Sequence, residues 1–351
     1  MIILNTIISN GNDKNCIEMA SKVLNKDGLV AFPTETVYGL GANALNAEAA
    51  AKIYAAKGRP SDNPLIVHIA NIQDVYKIAS DVPENATALM EAFWPGPLTI
   101  ILPKKDIVPD GTTGGLNTVA IRMPSHPVAL SLIKESGVLI AAPSANTSGR
   151  PSPTNAAHVI EDMDGKIDMI IDGGDVGIGI ESTIIDLTGD IPTILRPGFI
   201  TKAMLENIIG PVQIDKALIE PDPNLRPKAP GMKYTHYAPK GELTIIESLS
   251  YDNQAIISKI NELVNTKKLA GFKTAVIATE ENATKYQCDT ILIIGKANGD
   301  STIAARLYAL LRECDKLDID YIYSEAYSAG ELGGAIMNRL LKAAGHRVIN
   351  V

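Results

Sequence analysis

Lys57-Gly58-Arg59-Pro60-Ser61-Asp62-Asn63-Pro64-Leu65-Ile66-Val67-His68 gathers two cations, a hydroxyl, an amide and an imidazole into twelve residues. The run before it, Asn46-Ala47-Glu48-Ala49-Ala50-Ala51-Lys52-Ile53-Tyr54-Ala55-Ala56, predicts a helix: alanine supplies the propensity, Asn46 is placed to cap the first turn and Gly58 to end the last. Leu65 to Ala70 is a short apolar run of the kind that forms a buried strand. Helix, loop and strand in succession are the unit of an α/β fold. Pro60 and Pro64 stiffen the loop, so its polar side chains are held in place. Lys57 and Arg59 on such a loop suit a polyphosphate, one as a point charge and the other as a planar fork of donors.

Similar polar clusters stand at the ends of other apolar runs. The strand Leu29 to Phe32 leads into Pro33-Thr34-Glu35-Thr36-Val37-Tyr38-Gly39-Leu40-Gly41, where hydroxyls, a carboxylate and a phenol precede two glycines that allow close backbone approach. Its place at a strand's carboxyl end favours a ligand site. Trp94-Pro95-Gly96-Pro97-Leu98-Thr99 holds the only tryptophan, read as core packing at a rigid turn. Thr118 to Met123 is an apolar strand ending in Arg122, which needs a carboxylate or phosphate partner to be tolerated in a buried setting. Val138 to Ala142 runs into Pro143-Ser144-Ala145-Asn146-Thr147-Ser148-Gly149-Arg150-Pro151-Ser152-Pro153-Thr154, a proline-braced cradle for an anion ahead of a helix capped by Thr154. Glu181-Ser182-Thr183 enters one further strand, and Leu195-Arg196-Pro197-Gly198 ends another.

At 351 residues the chain exceeds one average core, which predicts two domains. Residues 1–209 form the first. Residues 210–241 contain six prolines and little periodicity and form an interdomain linker ending in an aromatic and basic cluster, Tyr234, His236 and Tyr237. Residues 242–351 alternate strand and helix and predict a smaller Rossmann-like parallel domain, without any Gly-x-Gly-x-x-Gly or P-loop sequence. The formal charge is -8, and residues 1–208 hold 15 Lys+Arg against 23 Asp+Glu, which argues against a broad nucleic-acid footprint. Three scattered cysteines, Cys16, Cys288 and Cys314, argue against a disulfide framework or a paired-cysteine zinc site. No apolar run is long enough to cross a bilayer and no leader pattern opens the chain, so a cytoplasmic location is expected.

Taken in order, Pro33–Gly41, Lys57-x-Arg59-Pro60, Pro64-Leu65-x-x-His68, Trp94–Thr99, Arg122-Met123-Pro124, Ser144-Ala145-Asn146, Glu181-Ser182-Thr183 and Leu195–Gly198 resemble the threonylcarbamoyl-AMP synthases in their long form. The resemblance extends over Lys233–Pro239 and Ile336-Met337-Asn338-Arg339 and so covers essentially the whole chain. It implies a YrdC-like twisted-sheet α/β domain followed by the smaller parallel one. It also implies a reaction in which L-threonine, bicarbonate and ATP, accompanied by Mg2+, give threonylcarbamoyl-adenylate and pyrophosphate, the adenylate passing to the machinery that modifies tRNA. On the matching positions Lys57 and Arg59 would be catalytic. Arg59, Asn63, Thr118, Ser144, Asn146, Ser152 and Arg196 would hold ATP. A carbamate and an acyl-adenylate both benefit from a site closed to water, so the linker is further expected to fold back as a lid with some of Tyr234, His236 and Tyr237 against the nucleotide, the alternative being that these rings pack between the two domains. Thr36, His68, Arg122, Ala142 and Ser182 would hold threonine. No metal ligands are assigned, and neither a membrane nor a stable nucleic-acid partner is expected.

Two alternatives belong to other classes. An RNA-binding module is one, disfavoured by the acidic first half and the lack of interleaved basic and aromatic residues. A carbamoyltransferase of hydrogenase maturation is the other, which would bring cysteine-rich zinc elements and an acylphosphatase-like unit that this sequence lacks.

Overall fold

The computed structural model describes residues 4–218, 227–230, 236–248, 250, 252–327 and 330–351. The chain divides into two compact units, Met1–Ser148 with Ser152–Tyr234, and Gly149–Pro151 with Thr235–Val351. Among the described residues no helix is long and apolar enough to cross a membrane.

The first unit is built on a mixed sheet of eleven strands among the described residues: Ile7–Asn10 (β1), Val30–Phe32 (β2), Gly39–Asn43 (β3), Ile66–His68 (β4), Leu98–Pro103 (β5), Thr118–Arg122 (β6), Ile140–Ala141 (β7), Met169–Asp172 (β8), Thr183–Asp186 (β9), Thr193–Arg196 (β10) and Gln213–Ile214 (β11). They lie in the order β1-β8-β2-β3-β7-β4-β6-β5-β9-β10-β11. The main core takes one residue of each alternating pair, Val67 from β4, Ile121 from β6, Leu98 and Ile100 from β5 and Ile185 from β9, and packs them with Ile53 of the helix Ala47–Lys57 and Leu89 of the helix Glu84–Phe93. The opposite face of the same strands carries a smaller cluster of Ile66, Ile101, Ala120, Ile184 and Leu195, closed by Ala229.

Local chemistry accounts for the helix that precedes the central loop. The Asn46 side chain accepts from the Glu48 amide, and Gly58 adopts φ 61°, a left-handed conformation that costs glycine little. The Arg59 amide then closes the end of the helix on the Tyr54 carbonyl at 3.0 Å. Trp94 is buried in the main core, its Nε1 donating to Leu98 O at 2.7 Å, as a large ring with one polar handle requires. Two local readings are corrected. Gly39 and Gly41 belong to strand β3, and a Cβ on Gly41 would meet Phe32 Cε1 at 2.8 Å and Ile140 Cγ2 at 2.7 Å, so what approaches closely there is the protein's own core. The helix Ala156–Met163 is capped by Asn155, which accepts from the His158 amide at 3.1 Å, and not by Thr154, whose hydroxyl lies 3.3 Å from the His158 ring.

The second unit is a parallel sheet of Glu242–Glu247 (β12), Thr274–Thr279 (β13), Thr290–Gly295 (β14), Tyr321–Glu325 (β15) and Val348–Asn350 (β16), in the order β14-β13-β15-β12-β16. The helix Asn253–Leu269 packs Ile257, Ile260 and Val264 against Ile246, Val276 and Tyr323 on one face. Every pairing is parallel and helices separate the strands except between β13 and β14, which a short 3-10 turn at Ala283–Lys285 joins; this is the smaller parallel α/β domain that the sequence predicts.

Candidate active site

Strand pairing aligns residues that are far apart in the sequence. His68 pairs with Arg122, Arg122 with Thr99, Thr99 with Ile184 and Ile184 with Arg196, a single row across β4, β6, β5, β9 and β10. Register partners share a face, and the register shift between Ile194 and Arg196 brings Arg196 to the face of its neighbour Leu195, so the imidazole and both guanidinium groups emerge on the side of the sheet closed by Ala229.

Arg122 is 4% exposed, and its Nη2 meets Glu35 Oε1 at 2.7 Å. The anionic partner that a buried strand-end arginine requires is therefore in the protein itself. Burial by itself would raise the Glu35 carboxyl, but the Arg122 guanidinium and a 3.1 Å bond from the Ser125 amide hold it below the usual carboxylate range. Arg122 Nε is buried with no hydrogen-bond partner among the described residues. His68 Nδ1 lies 3.1 Å from the Ile66 carbonyl oxygen, which fixes the proton on that nitrogen and makes Nε2 an acceptor. Burial, then the neighbouring Arg122 cation, push His68 down to about 3, so the ring is neutral at physiological pH. Thr36 is fully buried, 2.9 Å from the Thr34 hydroxyl, which itself donates to Val37 O at 2.6 Å. The Thr34 proton being used, Thr36 donates to Thr34 and keeps its own lone pairs.

Ser182 joins this group to the next. Its hydroxyl is 2.7 Å from Thr99 Oγ1 and accepts from Arg196 Nη2 at 3.1 Å, while Arg196 also donates twice to the Ser182 carbonyl. Arg196 Nη1 reaches the Pro230 carbonyl at 3.4 Å. Ser152 is buried and donates to Glu181 Oε1 at 2.6 Å.

Lys57 departs most from a solvent-facing cation. It is 2% exposed and its Nζ donates to the carbonyl oxygens of Ser144 and Asn146, with Asn146 Oδ1 at 3.5 Å. The ammonium thus holds the turn of the anion cradle, and Ser144 Oγ donates to Asn146 Oδ1 at 2.6 Å. Arg59 is half-buried and folds onto Asn63 O at 3.3 Å and Pro64 O at 3.2 Å. Asn63 is 1% exposed, and its Oδ1 is buried without a partner among the described residues. Thr118 opens β6, two residues before Ala120, which is the partner of Ile66 at the start of the parallel strand β4. Four residues of strand, about 13 Å, separate Thr118 from Arg122.

The first unit thus contains an Arg59–Asn63 pair in the loop before β4, with Thr118 at the start of the neighbouring strand β6, and a Thr36–His68–Arg122–Ser182–Arg196 group at the other end of these strands. Ala142 is buried, with its amide committed to Ile66 O at 2.9 Å. Of the linker residues, Tyr234 lies outside the described residues. His236 and Tyr237 belong to the second unit, where the Tyr237 ring stacks on Tyr308 at 4.9 Å. Glu35, Thr99 and Glu181 are the residues that motif reading passes over. Glu35 and Glu181 stand inside quoted motifs, and a carboxylate in a run of hydroxyls was the available signal.

Comparison with known proteins places the chain in a family. The family model described as "Telomere recombination" matches residues 22–198, and the one described as "Threonylcarbamoyl-AMP synthase, C-terminal domain" matches residues 200–345. A threonylcarbamoyl-AMP synthase of Bacillus subtilis is 52% identical over 334 residues, covering 95% of this chain and 94% of the relative. One from Pyrococcus abyssi is 48% identical over 335 residues, covering 95% and 96%. The crystal structure of P. abyssi Sua5 complexed with L-threonine superimposes with a TM-score of 0.92 at 46% identity, over 99% of each chain. With both halves matched and full-length relatives at this identity, the chain belongs to the threonylcarbamoyl-AMP synthase family, in its two-domain form.

Proposed function

We propose that this protein is the nucleotidyltransferase that makes threonylcarbamoyl-adenylate and pyrophosphate from L-threonine, bicarbonate and ATP, and that it acts in the cytoplasm, handing the adenylate to the machinery that modifies tRNA. One observation carries the reading. Arg122 Nε and Asn63 Oδ1, buried polar atoms without partners among the described residues, fall in the two groups assigned to threonine and to ATP. Buried polar atoms are almost always satisfied, and the rare exceptions mark sites that a ligand completes.

In this reading the threonine carboxylate lies against Arg122, whose Nε is unused, and Thr36, neutral His68 and Ser182 orient the amine and hydroxyl. The amine adds to bicarbonate with loss of water, giving a carbamate. A carbamate oxygen attacks the α-phosphorus, the bond to the bridging oxygen breaks, and pyrophosphate leaves with that electron pair. Arg196, linked to Ser182, is placed for the α-phosphate, and Arg59 with the Ser144–Asn146 turn for the departing phosphates. The protein contributes position and charge rather than a covalent intermediate. Mg2+ would accompany the triphosphate, where it offsets phosphate charge.

The test is pyrophosphate release from ATP with threonine and bicarbonate supplied separately and together. Release only with all three is expected; release unchanged when threonine is omitted would remove the proposal.

A further inference from the structure

Thr99 lies in the middle of the row across the sheet, paired with Arg122 on one side and Ile184 on the other, and is fully buried. Its hydroxyl has one partner among the described residues, Ser182 Oγ at 2.7 Å. Ser182 is fully buried too, and its oxygen also accepts from Arg196 Nη2 at 3.1 Å. A hydroxyl carries one proton and two lone pairs. The two hydroxyls therefore hold two protons and share one hydrogen bond, so whichever way that bond runs, one proton is left without a protein acceptor among the described residues. Buried donors are almost always satisfied, and an exception inside a site points to an acceptor that arrives with the ligand.

The surroundings decide which proton it is. Thr99 is enclosed within the ladder, between β6 and β9. Ser182 ends the segment before β9, which is laid along the Thr36 motif by bonds from the Ile178 amide to Glu35 O at 2.9 Å and from the Gly179 amide to Thr36 O at 3.0 Å. The open proton is therefore on Ser182, and Thr99 donates to it. Both lone pairs of the Ser182 oxygen are then filled, one by Thr99 and one by the Arg196 cation, so this hydroxyl acts only as a donor, and a polarised one. The neutral groups around it have the opposite sense, since Thr36 keeps its lone pairs and His68 Nε2 is an acceptor. Those acceptors suit the amine protons of an amino acid, and Arg122 suits its carboxylate. A β-hydroxyl adds an oxygen with lone pairs, and the Ser182 proton is placed to meet it.

We propose that Thr99 is a positioning residue for substrate selection: by filling the second lone pair of Ser182 it holds the Ser182 proton toward the β-hydroxyl oxygen of threonine, so that the pair favours a β-hydroxy amino acid over one lacking that oxygen. The inference rests on the function proposed above. A site built to hydrogen-bond a hydroxyl rejects the analogue without it far better than an apolar pocket rejects a change of one methylene. Pyrophosphate release driven by L-threonine, and its inhibition by L-2-aminobutyrate, which lacks only the hydroxyl, test it. Thr99→Val keeps the shape and removes the donor; it is expected to raise the KM for threonine about tenfold or more, with the Ki for 2-aminobutyrate and the KM for ATP within about threefold of the parent. Thr99→Ser, which restores the donor, should recover the parent preference. Ser182→Ala should lose that preference by itself, and adding Thr99→Val to it should change the preference no further, because Thr99 acts through Ser182. Equal losses for threonine and 2-aminobutyrate, a parent-like preference in Thr99→Val, or a preference that survives Ser182→Ala would each overturn the proposal. A parent protein that releases no pyrophosphate with threonine is a different result, which removes the functional reading and this inference with it.

Discussion

Arg122 is already partnered by Glu35, so a bound carboxylate adds to an ion pair instead of creating one. Arg122→Ala is therefore expected to do two things: leave the partly buried Glu35 without its cation, and remove the charge-assisted contact to the substrate. Threonine affinity should fall between about 10- and 100-fold, with ATP affinity changed far less; equal losses for both ligands in equilibrium titrations, on a variant shown to be folded, would assign Arg122 a structural role only. His68 gives a pH prediction. Its folded-state value, about 3, is below the ordinary 6.5, so below 6.5 the unfolded chain takes up a proton that the folded one refuses. The stability it contributes is complete above 6.5 and is lost as pH falls toward 3. Glu35, also held low, acts in the same direction at the acid end of that window. Denaturant midpoints should therefore decline from pH 6.5 downward, while threonine affinity between pH 6.5 and 8 shows no titration assignable to His68.

At the scale of elements, the loop after the helix Ala47–Lys57 divides its two cations between different tasks. Arg59 is half-buried on backbone carbonyls and can turn toward a ligand; Lys57 is enclosed beneath the turn that carries Ser144 and Asn146. Arg59→Ala should keep its melting temperature and lose about a hundredfold in turnover. Lys57→Met should lose stability as well, about 1–3 kcal/mol, because two carbonyls lose their donor, and should raise the KM for ATP. Gly198 lies tight against the site's backbone: a Cβ there would meet the Thr183 amide nitrogen at 2.5 Å and the Glu181 carbonyl oxygen at 2.8 Å. Gly198→Ala should displace Ser182 and cost at least tenfold in turnover, read by the same assay. Much of this is legible in the sequence, because a polar cluster at the end of an apolar run needs only local pattern to be seen. The burial of Lys57 is not, since a lysine ending a helix locally reads as a solvated charge facing the dipole, and only a turn 87 to 89 residues onward makes it an interior donor. Strand β3 is hidden for a different reason: Gly39 and Gly41 leave no side-chain period to read. The row from His68 to Arg196 is legible residue by residue but not as a row, because register is decided by pairing between distant strands.

For the molecule as a whole, the sequence predicts contiguous domains, whereas Gly149–Pro151 falls with the second unit. Inside that unit Arg312, fully buried, donates to Pro151 O at 2.7 Å, and Asp315 faces Arg150 at 3.5 Å. Truncation after residue 208 therefore strands these three residues as well as removing the linker. It is expected to abolish turnover, but a linker variant is the cleaner comparison. Ala229 is fully buried on the site face of the sheet, and Ala229→Asp should lower both the melting temperature and turnover, with an unpaired buried carboxylate costing ~2 kcal/mol or more. Parent-like activity and melting would show that the packing of this stretch is immaterial. The row across five strands has one more consequence. Its members are joined by the backbone ladder, not mounted on separate loops, so their amides should exchange with solvent only when the whole sheet opens. Occupancy then stabilises the first unit globally, by about 2.7 kcal/mol at a hundredfold excess of ligand over its Kd, and slowed hydrogen exchange at Val67, Ile121 and Ile185 in the presence of threonine would report binding from deep in the core.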